Sequence, residues 1–454
     1  MLIYPDRHIP STILPDRPDW AAAAAHIPSD KSISHRALLF AALSDGPVSI
    51  TGINQGAAIT LLIDALQQLG VLIDFDLASG TVVFQTSLRA MARKGLLNKG
   101  EERVYLGPSS AAARLLIGVL CGLGFGCVVD GDETLRNRPF DWIVEPLTVL
   151  GGRFEYLERP GCLPLRILLS QIGPGRVQTT IGSAQSVSAI LLAAIAARVP
   201  VEIAYPVVAR DHTQLMARGF GDAVEDRDHV VTYRPGQFQV PDTLTIPLDP
   251  SALAYPAALF WLMNRDRPEM SVRFEGVCIN PTRIGFFHWM QGCGFRLEIS
   301  PDEGARGEKV GAITLKGGGT FKAQGMQGKE SLHSMIDEIP LMVAIASLLP
   351  GEAVFEDLFE LTFKESDRIA ATCQMVRSLG IDTVIDGYAI RTTGRQRPSV
   401  QGDIAVFNDH RLSMTAHVVM LAHGLAGRIP GGECYKTSFP HFDKCLQAVF
   451  AGQI

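Results

Sequence analysis

A helix closed by glycine and running into an apolar strand recurs six times along this 454-residue chain. The copies read ALQQLGVLIDF with Gly70, EPLTVLGGRFEY with Gly151, LMARGFGDAVE with Gly221, HWMQGCGFRLEI with Gly294 and MVRSLGIDTVI with Gly380, then a degenerate CLQAVFAGQI with Gly452. Glycine just past an amphipathic helix takes the left-handed conformation that closes it, and the alternating residues that follow read as a strand. Successive glycines stand roughly 70 to 85 residues apart. That spacing is too long for a short-period solenoid and implies a supersecondary unit mixing α and β elements. Six such units use up the whole chain.

The units also begin alike. Small or capping residues precede strongly apolar helical stretches at Ser32-Ile33-Ser34, Ser109-Ser110, Ser183-Ala184-Gln185, Pro250-Ser251, Asp337-Glu338 and Asn408-Asp409. Helices apolar nearly all round are predicted to be buried, with polar side chains at their N-termini. Several such ends converging would make an anion site, because helix N-termini are electropositive. A composition change at TIPLDPSALAY predicts a boundary between about residues 246 and 251, with three units on each side. Ala21 to Ala25 reads as filler or a short helix.

Charge narrows the function classes. Lys and Arg number 41 against 47 Asp and Glu, a net −6, so a general nucleic-acid coat is disfavoured and nucleic acid is not an expected partner. A small anionic ligand in a local cationic pocket stays compatible with that balance. The eight cysteines show neither a CxxC pair nor zinc spacing, so no metal is expected. MLIYPDRHIPST lacks the pattern of a signal peptide. The longest uncharged stretch, Leu115 to Val129, is about 15 residues, short of the roughly 20 of a membrane span. The expectation is a soluble cytoplasmic protein with no membrane partner.

The candidate chemistry gathers at the helix starts. Ser32 and Arg36 stand four apart on one helix face with Lys31 just ahead, and Ser110 and Arg114 repeat the spacing. Lys364 and Arg368 do so again in FKESDR, Arg411 follows Asn408-Asp409-His410, and Arg138 stands in DETLRNRP. Any one cluster alone reads better as solvated surface charge. Their recurrence at equivalent places favours a pocket lined by Lys31, Arg36, Arg138, Lys364, Arg368 and Arg411. Arginine supplies forked donors for phosphate and carboxylate there, and lysine a point charge. Asp337 and Glu365 are carboxylates in that cationic setting, where they stay ionised and can take a proton from a hydroxyl. The structural alternatives are helix capping for Asp337 and an ordinary ion pair for Glu365.

PSDKSISHR, SAQSVSAILLA, ARDHT, INPTRIG, IDEIPLM, FKESDR, NDHRLSM and TSFP, in that order over about residues 26 to 443, resemble the signatures of 5-enolpyruvylshikimate-3-phosphate synthases. The likeness is greatest to the second, more divergent bacterial class. The resemblance implies an inside-out α/β fold of six βαβαββ repeats, three per domain. The first domain would span 32–248, the second 1–31 plus 249–454, with an active-site cleft between them. It implies transfer of the enolpyruvyl group of phosphoenolpyruvate to the 5-hydroxyl of shikimate 3-phosphate, through a tetrahedral intermediate, by a monomer without metal or organic cofactor.

Carried over by position, Lys31, Ser32, Arg36, Ser183, Ala184, Gln185, Arg210, Asp337 and Lys364 match residues on the shikimate-phosphate side. Lys31, Ser110, Arg138, Gln185, Arg368 and Arg411 match the phosphoenolpyruvate side. Asp337, Glu365 and Lys31 match the proton-handling residues.

The chain departs from the family pattern in LGPSSAAAR, where Pro108, Ser110 and Ala111 replace Asn, a smaller Gly or Ala, and Thr. It departs again at Ser29, where the family usually has Gly, at Ala209, where it often has Ser, and at Thr437, with Lys436 one position early. Pro108 lacks a backbone donor and Ser110 adds bulk, so glyphosate insensitivity is expected. Pro108 and Ala209 also leave open a paralogue acting on a different cyclic alcohol, and a non-catalytic binder of an anionic metabolite is a further alternative. A UDP-N-acetylglucosamine enolpyruvyl transferase would carry a cysteine a few residues before the Arg-Pro pair, and DETLRNRPF has none. RNA 3′-phosphate cyclase, a distant fold relative, is disfavoured by the acidic balance.

Overall fold

In a computed structural model the chain is described over residues 4–11, 18–95, 99–207, 209–302 and 307–450. It divides into two compact units, one built mainly on Ser29–Pro247 and the other on Leu2–Pro28, Leu248–Glu303 and Lys309–Ile454.

Gly70, Gly151, Gly221, Gly294 and Gly380 each lie one residue past a helix's last capping position, at φ +90°, +108°, +93°, +95° and +69°. Gly452 lies outside the described residues. At Gly294 two constraints coincide, because a Cβ would also stand 1.8 Å from the Thr320 carbonyl oxygen. No side chain can follow that helix.

In the first unit the repeat is nearly complete. Lys99–Tyr105, the helix Ser110–Leu123, Gly126–Asp130, the helix Asp141–Val149, then Arg153–Tyr156 and Leu165–Leu168 form one βαβαββ copy. Gly175–Gln178 through Val230–Arg234 form a second, around the helix Ala184–Ala197. Each makes a four-stranded sheet with one parallel pair and a hairpin. Among the described residues, the copy around the helix Lys31–Ala41 has no strand of its own ahead of that helix. Thr243–Thr245, from the far end of the unit, pairs parallel with Val48–Thr51 and takes the place.

The second unit is more worn. Its copies around the helices Pro250–Met263 and Ile339–Leu348 have three-stranded sheets, the first strand being reduced to the single parallel bridges Leu248–Val277 and Met326–Phe355. Among the described residues, the copy around the helix His410–Ala422 keeps only Gly427–Ile429, paired with the N-terminal strand Arg7–Ile9. Trp20–Ala24, in the alanine run, is a short helix capped by Asp19.

The six apolar helices are the core, as their all-round hydrophobicity predicts. Thirteen of the 14 residues of Pro250–Met263 and every residue of Ile339–Leu348 are buried. Lys31–Ala41 begins one residue before its serine run because Asp30 is the cap, its carboxylate accepting from the Ile33 amide at 2.8 Å. Ser109, Ser183, Asp249 and Asp409 cap four others.

The helices Ser110–Leu123 and Ala184–Ala197 pack at the closest approach possible. A Cβ on Gly118 would lie 2.2 Å from the Ala189 carbonyl oxygen, and one on Gly122 2.2 Å from that of Ala193. These two glycines, one turn apart, make a backbone-to-backbone seam. Gly118→Ala is therefore expected to destabilise the protein by about 1–3 kcal/mol through overpacking, read as a lower denaturation midpoint. An unchanged midpoint would refute the seam.

Candidate active site

In the first unit three buried helices bring polar groups to their N-terminal ends. Lys31 and Ser32 open the first helix and are half-buried. Arg36, one turn on, is buried and acts as an internal tie. Its Nε donates to Thr213 Oγ1 and its Nη2 to Ser188 Oγ, both at 2.7 Å, and its Nη1 to the Ser32 carbonyl at 2.9 Å. Ser110 opens the second helix, and Arg138 Nη1 donates to its hydroxyl at 3.0 Å. Ser183 caps the third, its hydroxyl accepting from the Gln185 amide at 3.3 Å, with Ala184 as the first helical residue.

Arg114 joins the second and third helices. Its Nη1 donates to Gln185 Oε1 at 2.6 Å and its Nη2 to the Pro139 carbonyl at 2.8 Å, while its guanidinium lies 5.2 Å from the ring centroids of both Phe140 and Trp142. Burial, and then the nearby charge of Arg138, push the Arg114 pKa down to about 9. It still carries its charge at neutral pH. Two arginines repelling each other at the ends of electropositive helices are what an oxyanion would relieve. Arg210 stands half-buried just ahead of the helix His212–Gly219.

In the second unit the expected residues meet around one guanidinium. Arg368 is buried and donates through Nε to Asp409 Oδ2 at 2.8 Å, through Nη2 to Glu365 Oε2 at 2.6 Å and to Asp409 Oδ1 at 3.2 Å, and through Nη1 to Asp337 Oδ1 at 3.3 Å. Burial works against its charge, yet Asp409, Glu365 and Asp337 together outweigh burial and raise its pKa above the ordinary arginine value. Lys364 Nζ reaches Asp337 Oδ1 at 3.5 Å. Arg411 is likewise buried, donating through Nη1 to the Ser251 carbonyl at 3.1 Å with its guanidinium 5.9 Å from the Tyr255 ring centroid. Burial opposes its charge too, and Tyr255, Asp337, Glu338 and Asp249 overcome it.

The cluster bears on the alternatives left open by the sequence. Asp337 does not cap the helix Ile339–Leu348, whose N-cap is Glu338 without a side-chain bond. Its carboxylate instead faces Lys364 and Arg368. Glu365 is an ion-pair partner of Arg368 and is also exposed, so one carboxylate serves the pair while remaining reachable.

Two residues do work the sequence did not assign. Asp409 was legible only as a helix start, yet one carboxylate caps the helix through the Arg411 amide at 2.9 Å and also holds Arg368. Arg114 shared the four-residue spacing from Ser110, and that spacing was its signal.

Comparison with known proteins identifies the family and the fold. The family model for EPSP synthase (3-phosphoshikimate 1-carboxyvinyltransferase) matches residues 19–446. A 3-phosphoshikimate 1-carboxyvinyltransferase of Herpetosiphon aurantiacus is 34% identical over 426 residues, covering 92% of this chain and 95% of that protein. One of Gluconobacter oxydans is 32% identical over 444 residues, covering 96% and 97%. Among solved structures, EPSP synthase from Acinetobacter baumannii superposes with a TM-score of 0.80 at 27% identity, covering 98% of this chain and 97% of that one. The enolpyruvyl transferase NikO from Streptomyces tendae superposes at 0.73 and 14% identity, which speaks for the fold alone, over 99% and 98% of the two chains. The fold is that of the enolpyruvyl transferases, and the chain belongs to the EPSP synthase family.

Proposed function

We propose that the protein transfers the enolpyruvyl group of phosphoenolpyruvate to the 5-hydroxyl of shikimate 3-phosphate and releases phosphate. The observation that carries this is Asp337: a carboxylate not engaged in capping, set against Lys364 and Arg368. A carboxylate beside two cations is suited to accept the proton of an attacking hydroxyl.

In the addition step the 5-oxygen bonds to C2 of phosphoenolpyruvate while its proton passes to Asp337 and the C3 methylene gains a proton. In the elimination step C3 loses a proton, the bond from C2 to the bridging oxygen breaks, and phosphate departs. Glu365 and Lys31 are assigned to the protons at C3 and the bridging oxygen. Lys31, Ser32, Arg36, Ser183, Ala184, Gln185, Arg210 and Lys364 are assigned to the shikimate 3-phosphate side. Ser110, Arg138, Gln185, Arg368 and Arg411 are assigned to the carboxylate and phosphate of phosphoenolpyruvate, with Lys31 serving both. Fixed guanidinium donors offset the repulsion between two multiply charged reactants, and holding them together removes most of the entropic part of the barrier.

Phosphate release from phosphoenolpyruvate, strictly dependent on added shikimate 3-phosphate, is the test. Pro108 and Ala209 support a second reading, a different cyclic alcohol as acceptor. Release that fails with shikimate 3-phosphate and proceeds with another cyclic alcohol would establish it. Activity as a single chain in the cytoplasm goes with the first reading, and sedimentation of the active enzyme as a dimer would contradict the monomer.

Insensitivity to glyphosate rests on Ser110, whose hydroxyl already occupies Arg138. Ser110→Gly is expected to lower both the glyphosate inhibition constant and the phosphoenolpyruvate KM, the former by about tenfold, since the two heavy atoms removed, Cβ and Oγ, discriminate at that level in a tight subsite. A low-micromolar inhibition constant for the unsubstituted protein would overturn the assignment.

A further inference from the structure

The helix Ala184–Ala197 carries Gln185 at one end, and at the other, about 20 Å away for 14 residues, it ends beside a cationic cavity. This cavity, of about 490 Å³, lies wholly within the first unit and is lined by Asp45, Arg89, Arg93, Arg198, Phe238 and Asp242 among others. Its charges are graded by depth. Arg89 is 5% exposed, Arg198 is half-buried, and Arg93, Asp45 and Asp242 are at the exposed rim.

Arg89 is the unusual member. Its Nη2 donates to the Ile195 carbonyl at 2.9 Å, but its buried Nε has no acceptor among the described residues. A guanidinium brings five donors, and a buried one without acceptors is costly. Its ordinary pKa is pushed down to about 10, first by burial and then by the positive charge of Arg198, with an opposing pull from Asp45 and a lesser push from Arg93. The guanidiniums of Arg89 and Arg198 both lie over the Phe238 ring, at 5.0 and 5.5 Å, which fixes them in place. Arg198 spends Nη1 on Asp222 at 2.7 Å and Nη2 on the Gly236 carbonyl at 2.7 Å, and Arg93 pairs with Asp45 at 2.7 Å. The two lining carboxylates stand where water screens them, whereas the deepest charge is cationic and under-satisfied.

We propose that this cavity binds a small tetrahedral oxyanion, the phosphate group of a phosphomonoester, held by Arg89, Arg93 and Arg198. The anion would bring negative charge beside the under-satisfied Arg89 guanidinium and would compete with Asp45 for Arg93. The site is separate from the residues assigned to the enolpyruvyl transfer and does not depend on that assignment.

Selenate, a heavy-atom stand-in for phosphate, locates the anion by anomalous diffraction, and occupancy at graded selenate concentrations is read at this cavity alone. A peak within hydrogen-bond reach of the three arginines is expected. Arg89→Met and Arg93→Ala should each weaken it about tenfold, the scale of one charge-assisted hydrogen bond. Asp45→Asn should strengthen it, a gain that misfolding could not produce, so Asp45→Asn and the rim variant Arg93→Ala decide the matter if Arg89→Met does not fold. Soaking with phenyl phosphate should displace the selenate. An empty cavity in crystals that hold selenate elsewhere would overturn the proposal. So would a peak indifferent to Arg93→Ala and Asp45→Asn, which marks an adventitious ion only.

Discussion

Asp337→Asn is expected to cut kcat about a thousandfold while leaving both KM values within a few-fold, the signature of a lost general base. The substitution keeps the shape of the side chain and removes only its charge and its ability to take a proton. Because the helix Ile339–Leu348 takes Glu338 and not Asp337 as its N-cap, the substitution leaves that helix start unchanged. Its neighbours Lys364 and Arg368 lie 3.5 and 3.3 Å from Oδ1, a cationic setting that favours a carboxylate over a carboxylic acid. Steady-state phosphate release with each substrate varied in turn measures the effect. A kcat within tenfold of the unsubstituted enzyme would remove Asp337 from the role of base, and a large rise in KM with little change in kcat would reassign it to binding.

Asp409→Ala should produce the largest loss of stability, about 3–5 kcal/mol, because it takes from buried Arg368 the one carboxylate that binds it through both oxygens, leaving Glu365 and Asp337 to offset the burial, and removes a helix cap together. Its side chain is fully buried and gives both oxygens to Arg368. Burial alone would raise the carboxyl pKa. Arg368 more than offsets this, and the pKa lies below the ordinary 3.8. A carboxyl held low in the folded state contributes stability that is present above pH 3.8 and is lost as pH falls through the depressed folded value. Denaturant unfolding at pH 7 should therefore separate the unsubstituted protein from Asp409→Asn widely, and the gap should narrow as the solution is taken below pH 3.8. A gap that stays constant with pH would mean that the pair contributes through packing and not through charge. Activity should fall with stability here, since Arg368 is held by the same carboxylate.

Much of the architecture was readable because it repeats. A single Gly past a helix is a weak signal, but five at matching places, each in the left-handed region, follow from the same closure chemistry acting five times. The six buried helices were readable for the related reason that apolar residues on every face leave no side for water. The strand Thr243–Thr245, which completes a sheet begun nearly 200 residues earlier, left no trace, because three residues carry no periodicity and long-range pairing has no local signature. The reduction of two strands to single bridges was hidden for the same reason.

The site divides along similar lines. Lys31, Asp337, Lys364 and Arg368 were marked by charge at helix starts. The joint role of Asp409 was invisible, since capping and ion pairing by one carboxylate look like capping alone in a sequence. Arg36 stood out by its spacing, yet that spacing brings its guanidinium to the Ser32 carbonyl and not to the Ser32 hydroxyl.

Gly118 and Gly122 leave the two helices they join with nothing soft between them. Side-chain contacts can slide and re-form by changing rotamers, whereas main chain laid on main chain has no such play. Ser110 and Gln185, which begin those two helices, are in effect mounted on one solid bar. A methyl group added deep in the unit would then be felt at the helix tips as a change in aim. Substrate discrimination should deteriorate in Gly118→Ala at temperatures where the protein is still fully folded.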